Sequence, residues 1–124
     1  MKLQPDRFDT LFINAYGEDW IAVSGEKKHH SLVVSSQGRC LDWNCNSLGD
    51  LSASHFELLA EDSPEVVVFG SGRKLRFVSP VLLRALIERG IGVETMDTAA
   101  ACRTYNILAQ EGRRVVAALL LEAA

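Results

Sequence analysis

The apolar pattern of the chain changes character near its middle. Through the first third, short apolar runs alternate with turn residues: Leu11-Phe12-Ile13, Trp20-Ile21-Ala22-Val23 and Ser31-Leu32-Val33-Val34-Ser35. Gly17-Glu18-Asp19 and Ser24-Gly25-Glu26-Lys27 read as the turns between them. Ser36-Gln37-Gly38 joins the third run to Arg39-Cys40-Leu41-Asp42-Trp43, a spacing that predicts a hairpin. This third reads as an antiparallel meander, preceded by a mixed polar stretch over residues 1–9 for which irregular structure is expected. A short helix is expected from 52 or 54 to 61, with Phe56, Leu58 and Leu59 inward, until Asp62-Ser63-Pro64 breaks it.

Residues 66–121 follow another rhythm. Val66-Val67-Val68-Phe69 has no polar alternation, as suits a strand covered on both faces, and ends in Gly70-Ser71-Gly72. Ser79-Pro80 is a helix start, because the serine oxygen can cap free amides and proline at the first helical position loses no bond. Leu82, Leu83, Leu86 and Ile87 are the expected buried stripe, with Arg84, Glu88 and Arg89 outward and Gly90 as the stop. A strand is expected over 91–96. Asp97 and Thr98 then cap a helix that reaches about Gln110, on which Ala101, Tyr105 and Leu108 can share a face. Gly112 ends it, and residues 113–121 supply a last apolar strand. Strands alternating with helices imply parallel pairing and right-handed crossovers. The fold class is therefore α/β, with meander and βαβαβ unit sharing one core in one domain over 1–124, as two stacked sheets or one bent mixed sheet.

Charge narrows the partners. A net charge of −3 argues against holding nucleic acid on a basic surface, since phosphate neutralisation needs clustered Lys and Arg. Only Lys27-Lys28-His29-His30 and Arg73-Lys74-Leu75-Arg76 are locally basic. No apolar run approaches the roughly 20 residues of a membrane span, and no N-terminal signal-type segment is visible, so no direct membrane insertion is expected. Three cysteines suit a reducing compartment better than a disulfide framework, and a cytoplasmic location is the expectation.

The candidate chemistry gathers at one edge. Gly70-Ser71-Gly72 ends a parallel strand, where α/β proteins often bind phosphates. The dinucleotide pattern lacks its third glycine, a helix does not follow at once, and the phosphate-loop Lys-Ser/Thr is absent, so a tight turn is favoured. Parallel strands would place this turn beside Met96-Asp97-Thr98 and both helix N-termini, with Arg76 and Arg103 near enough to hold an anion or carboxylate. Arg103-Thr104-Tyr105-Asn106 is unusual for a helix, and Tyr105 and Asn106 join this candidate pocket; hydrogen bonds to a neighbouring loop are the favoured account of them. Cys40 and Cys45 with His29, His30 or His55 have the wrong spacing for zinc, and Cys102 among alanines reads as a small buried residue. No Gly-x-Ser-x-Gly elbow or nucleophile–base pair is present, so no catalytic residue, metal or cofactor is assigned.

Gly70-Ser71-Gly72, Arg76-Phe77-Val78-Ser79-Pro80, Glu94-Thr95-Met96-Asp97-Thr98-Ala99-Ala100, Arg103-Thr104-Tyr105-Asn106-Ile107-Leu108 and Glu111-Gly112-Arg113 together resemble a domain-of-unknown-function family of small proteins. That family includes stand-alone bacterial and archaeal members, a mitochondrial complex I assembly factor and an adipogenesis-associated cytoplasmic protein. The resemblance spans nearly the whole chain; Ser71 stands where the family has threonine, which keeps the hydroxyl. It implies a three-layer β/β/α fold with a mixed sheet and a non-enzymatic role through protein contacts. An interaction or assembly protein is thus the leading expectation, with another protein as partner. The alternative is a binder of a small, anionic molecule, or an enzyme, at the strand edge.

Overall fold

The computed structural model describes residues 10–122; the irregular start expected for 1–9 lies outside the described residues. Alternation along the strands of the second half builds two cores on one sheet. In β6 (Val66–Gly70), Val66 and Val68 face one side while Val67 and Phe69 face the other. β8 (Val115–Leu119) divides likewise, Val115, Ala117 and Leu119 against Val116 and Ala118. Every residue of both strands is buried, which is why neither shows polar alternation.

The five-stranded sheet has the order β5-β4-β8-β6-β7, with β4 spanning Leu32–Ser35, β5 Cys40–Asp42 and β7 Gly92–Met96. β6 pairs in parallel with β7 and β8, whereas β4 is antiparallel to β5 and β8, so the sheet is mixed as the α/β reading requires. From β6 the chain steps outward to β7 through α2 (Arg84–Glu88), then returns past β6 to β8 through α3 (Thr98–Gln110). The steps run in opposite directions and their helices lie on opposite faces, so the two crossovers share one hand. Buried serines fasten β4 to β8 at both ends. Ser31 Oγ accepts from Leu121 N (2.8 Å), and Ser36 Oγ accepts from Val115 N (3.0 Å).

The first three strands form their own antiparallel sheet: β1 (Ile13–Tyr16), β2 (Ile21–Val23) and β3 (Glu26–Lys28). It packs with α3 on one face of the large sheet, while α1 (Ala53–Glu57) and α2 cover the other. That second core holds Trp43, Phe56 and Phe69 edge to face, with ring centroids 5.4–6.0 Å apart. Among the described residues no helix is long and apolar enough to cross a membrane.

Several sequence expectations need correction. The expected single meander is split between two sheets. β4 is buried along its whole length and needs cover on both sides, whereas the polar β3 can only be an edge. β3 itself begins inside the expected turn 24–27, because Ser24 (φ 54°) and Gly25 (φ 81°) make that turn alone, as a two-residue hairpin with positive φ permits. The first strand starts at Ile13 instead of Leu11, leaving Phe12 39% exposed. The helix beginning at Pro80 opens as a 3-10 turn over Pro80–Leu83, and the three-residue period shifts the phase of every residue after it. Leu86 is therefore buried but Ile87 is 57% exposed, outside the stripe assigned to it. The helix of residues 52–61 likewise ends as a 3-10 turn over Leu58–Ala60.

Where β6 meets α3 the fit is close. A Cβ on Gly70 would lie 2.9 Å from Thr98 Cα and 3.1 Å from Ala101 Cβ. Gly70→Ala should therefore destabilise by about 1–3 kcal/mol, because backbone would have to move. Urea unfolding checks this; an unchanged midpoint would show that the contact is loose.

Candidate functional site

Because β6, β7 and β8 are parallel, their C-terminal ends meet at one edge, and the loops leaving them are joined there by threonine. Thr98 Oγ1 donates to Leu120 O (2.8 Å) beyond β8 and accepts from Gly72 N (2.9 Å) beyond β6. Thr98 N in turn donates to Gly72 O (2.8 Å). Gly72 has φ +103°, a conformation that glycine adopts without strain, and a Cβ there would run into Glu122 and Arg76. The ladder itself continues past the strands, Leu120 N donating to Gly70 O (3.0 Å) and Ser71 N to Met96 O (2.8 Å).

Ser71 is fully buried and organises the turn after β6. Its proton has Lys74 O at 2.7 Å and Met96 O at 3.2 Å, while its oxygen accepts from Arg76 N (2.9 Å). Arg76 Nη2 donates to Ser71 O (2.8 Å) and pairs with Glu122 at 2.6 Å; its Nε is shielded from solvent without a hydrogen-bond partner. Both turn amides, Ser71 N and Gly72 N, are thus engaged inside the protein, which accounts for Gly70-Ser71-Gly72 as a tight turn. The α3 terminus is similarly occupied. Asp97 caps it through Oδ1 to Ala100 N (2.9 Å), and Ala101 N bonds to Asp97 O (2.9 Å).

A cleft of about 320 Å³ opens at this edge, between the β1–β2 turn, the loop after β6, the start of α3 and the chain beyond β8. Leu120, Leu121 and Ala99 supply apolar wall, with Tyr16 and Gly17 opposite. Three carboxylate residues, Glu18, Asp97 and Glu122, line it with Arg73. Of the residues singled out in sequence, Gly72, Asp97 and Thr98 line the cleft; Gly70, Ser71, Arg76, Arg103, Tyr105 and Asn106 do not. Arg103 donates to Tyr16 Oη (2.7 Å), a contact that raises the guanidinium pKa. Tyr105 is buried, donates to Leu11 O (2.7 Å) and is held protonated to unusually high pH by burial. Asn106 accepts from Ile13 N (2.9 Å) and donates to Ile13 O (2.8 Å), bonding β1 as a neighbouring strand would. These three therefore attach the small sheet to α3.

Tyr16, Glu18, Arg73 and Glu122 line the cleft but are not among the candidate site residues of the sequence. Glu122 had a signal, since it follows the last parallel strand and must emerge at the shared edge. Tyr16 and Glu18 had none, because the docking of one sheet on another leaves no mark in periodicity. Among the described residues no cluster of three His, Cys, Asp or Glu comes together as a metal site. Cys45 and Cys102 are buried, and burial pushes their thiols up to about 11 and about 12.

If the threonine bridge matters more than the cap, Thr98→Val should cost about 2–4 kcal/mol, since it strands Gly72 N and Leu120 O in the interior. Asp97→Ala should cost about 1 kcal/mol, the usual worth of a cap. Chemical denaturation of both variants tests the ranking, and the reverse order would refute it.

Comparison with known proteins agrees with this architecture. A crystal structure of a Bordetella parapertussis protein superposes with a TM-score of 0.86 at 39% identity, covering 91% of this chain and 97% of that one. The solution structure of a Bordetella pertussis protein described as a Mth938-like domain gives a TM-score of 0.81 at 34% identity, covering 99% and 94%. In sequence, the mouse (Mus musculus) NADH dehydrogenase [ubiquinone] 1 alpha subcomplex assembly factor 3 is 34% identical over 120 residues. That match takes in 95% of this chain but only 64% of the mouse protein, so the chain spans about two thirds of that relative's length. A family model described as protein of unknown function (DUF498/DUF598) matches residues 13–120, and the chain belongs to that family.

Proposed function

We propose that this chain is a non-enzymatic interaction protein that assists the assembly of a larger complex, with another protein as its partner. The observation that carries the reading is a displayed apolar segment between β6 and α2. Leu75, Phe77 and Val81 are 54%, 71% and 61% exposed, within seven residues of one another. Isolated exposed apolar residues need no explanation, but a local group of large ones is characteristic of a contact site. The segment is not loose. Ser71 and Arg76 fix its start, Ser79 Oγ accepts from Val81 N, and Val78, Leu82 and Leu83 pack into the core beneath it. A held, partly apolar segment loses less conformational entropy on docking than a mobile one would. The name of the mouse relative supports an assembly role, and a respiratory complex is the assembly it suggests.

A second reading rests on the cleft. Its volume lies at the lower end of small-ligand sites, and its position at the C-terminal edge of parallel strands is where such ligands collect. Arg76 and Glu122 pair with each other, which leaves Glu18 and Asp97 against Arg73 among the lining residues, so the charge balance of the lining favours a neutral or cationic molecule over the anion expected from sequence. Under this reading, turnover or retention of a defined metabolite by the purified chain would displace the assembly role.

The two readings separate experimentally. A Leu75→Asp/Phe77→Asp variant should unfold within about 0.5 kcal/mol of the parent, because both side chains are exposed. In cells that carry only this variant, native electrophoresis of respiratory membranes should show the complex reduced to the level of a deletion strain. Full assembly with the variant would contradict the proposal.

A further inference from the structure

The interaction reading leaves the chemistry of the partner open, and the distribution of charge narrows it. Residues 73–89 contain five Lys or Arg and one Glu, a balance of +4, within a chain of formal charge −3. The rest of the chain therefore carries −7. Arg73, Lys74 and Arg84 are exposed, and none of them forms an ion pair among the described residues. Leu75, Phe77 and Val81 are interleaved with these cations along the sequence, so one exposed stretch of chain carries apolar and basic groups together.

We propose that this strip docks an acidic segment of a partner protein, one in which carboxylates flank an apolar anchor; this rests on the interaction reading above. An apolar anchor covers Phe77 and its neighbours, and carboxylates answer the unpaired cations. Complementary charge of this kind speeds encounter and discourages wrong partners. An anionic bilayer offers the same two chemistries, but it is an extended plane. Arg73 lines the cleft together with Glu18 and Asp97, so an anionic plane laid over Arg73 would also face carboxylates. A polypeptide segment can follow the strip and avoid them.

The test uses the full chain with a photoreactive benzoylphenylalanine at position 81, irradiated in extracts of its own cells. The cross-linked peptide should have a carboxylate excess, and its yield should fall at least tenfold between 50 and 500 mM salt. Adding Lys74→Glu should lower the yield at least tenfold. Lys27→Glu, which changes net charge equally but elsewhere, should alter it less than twofold. Thermal unfolding of each variant confirms that the fold is retained. A neutral or basic cross-linked peptide, with yield indifferent to salt and to Lys74→Glu, would overturn the acidic partner and leave the interaction reading standing. Cross-links to lipid alone, or none at all, would overturn both.

Discussion

The hydroxyl of Thr98 is the bond on which the loop-bearing edge of the sheet depends. Three parallel strands deliver three loops to one side of the sheet, and nothing in the strands fixes those loops relative to one another. Thr98 does so with one side-chain oxygen, donating to Leu120 O and accepting from Gly72 N. The residue is buried, so neither partner has water as a substitute. Gly70 lets α3 approach closely enough for the bridge to form, and Gly72 turns the chain where a Cβ would strike Glu122. Ser71 then directs the chain away from the sheet through Lys74 O and Arg76 N, which is how the segment carrying Phe77 comes to be held in place. Close packing, a turn and a displayed surface follow from one short sequence, Gly70-Ser71-Gly72, together with a threonine 26 residues beyond Gly72.

This arrangement separates the bonded scaffold from the exposed segment proposed as the contact surface. The polar residues that look chemically promising mostly bond other parts of the protein. Arg103 holds Tyr16, Asn106 bonds both backbone groups of Ile13, and Arg76 pairs with Glu122. Exposed apolar side chains and unpaired cations instead concentrate on residues 73–89. Polar groups bonded mostly within the protein, with apolar groups on display, are what support the proposed interaction role.

Much of the fold was legible because its signals are local. Full burial of β6 and β8 wrote uninterrupted apolar runs, Asp97 and Ser79-Pro80 marked two helix starts, and glycines at 90 and 112 take the positive φ that ends helices. Parallel pairing brings the strand ends to one edge, and Gly72, Asp97 and Thr98 line the cleft there. The features that escaped depend on tertiary placement. β3 carries only Glu26, Lys27 and Lys28, so no apolar period announces it, and two positive-φ residues compress the turn before it. Ile87 was misplaced by a 3-10 turn upstream, since a change of period rotates every later residue. Tyr105 and Asn106 were assigned to a pocket because a polar pair in a helix invites one; docking of the small sheet gives them backbone partners instead.

The central claim is that the held segment between β6 and α2, and not the cleft, is the working surface. Hydrogen–deuterium exchange tests it most directly, comparing the isolated chain with the complex purified from its own cells. The account predicts added protection concentrated in residues 73–84, with the amides around Glu18, Asp97 and Glu122 unchanged. Protection confined to the cleft, with residues 73–84 exchanging as in the isolated chain, would contradict it.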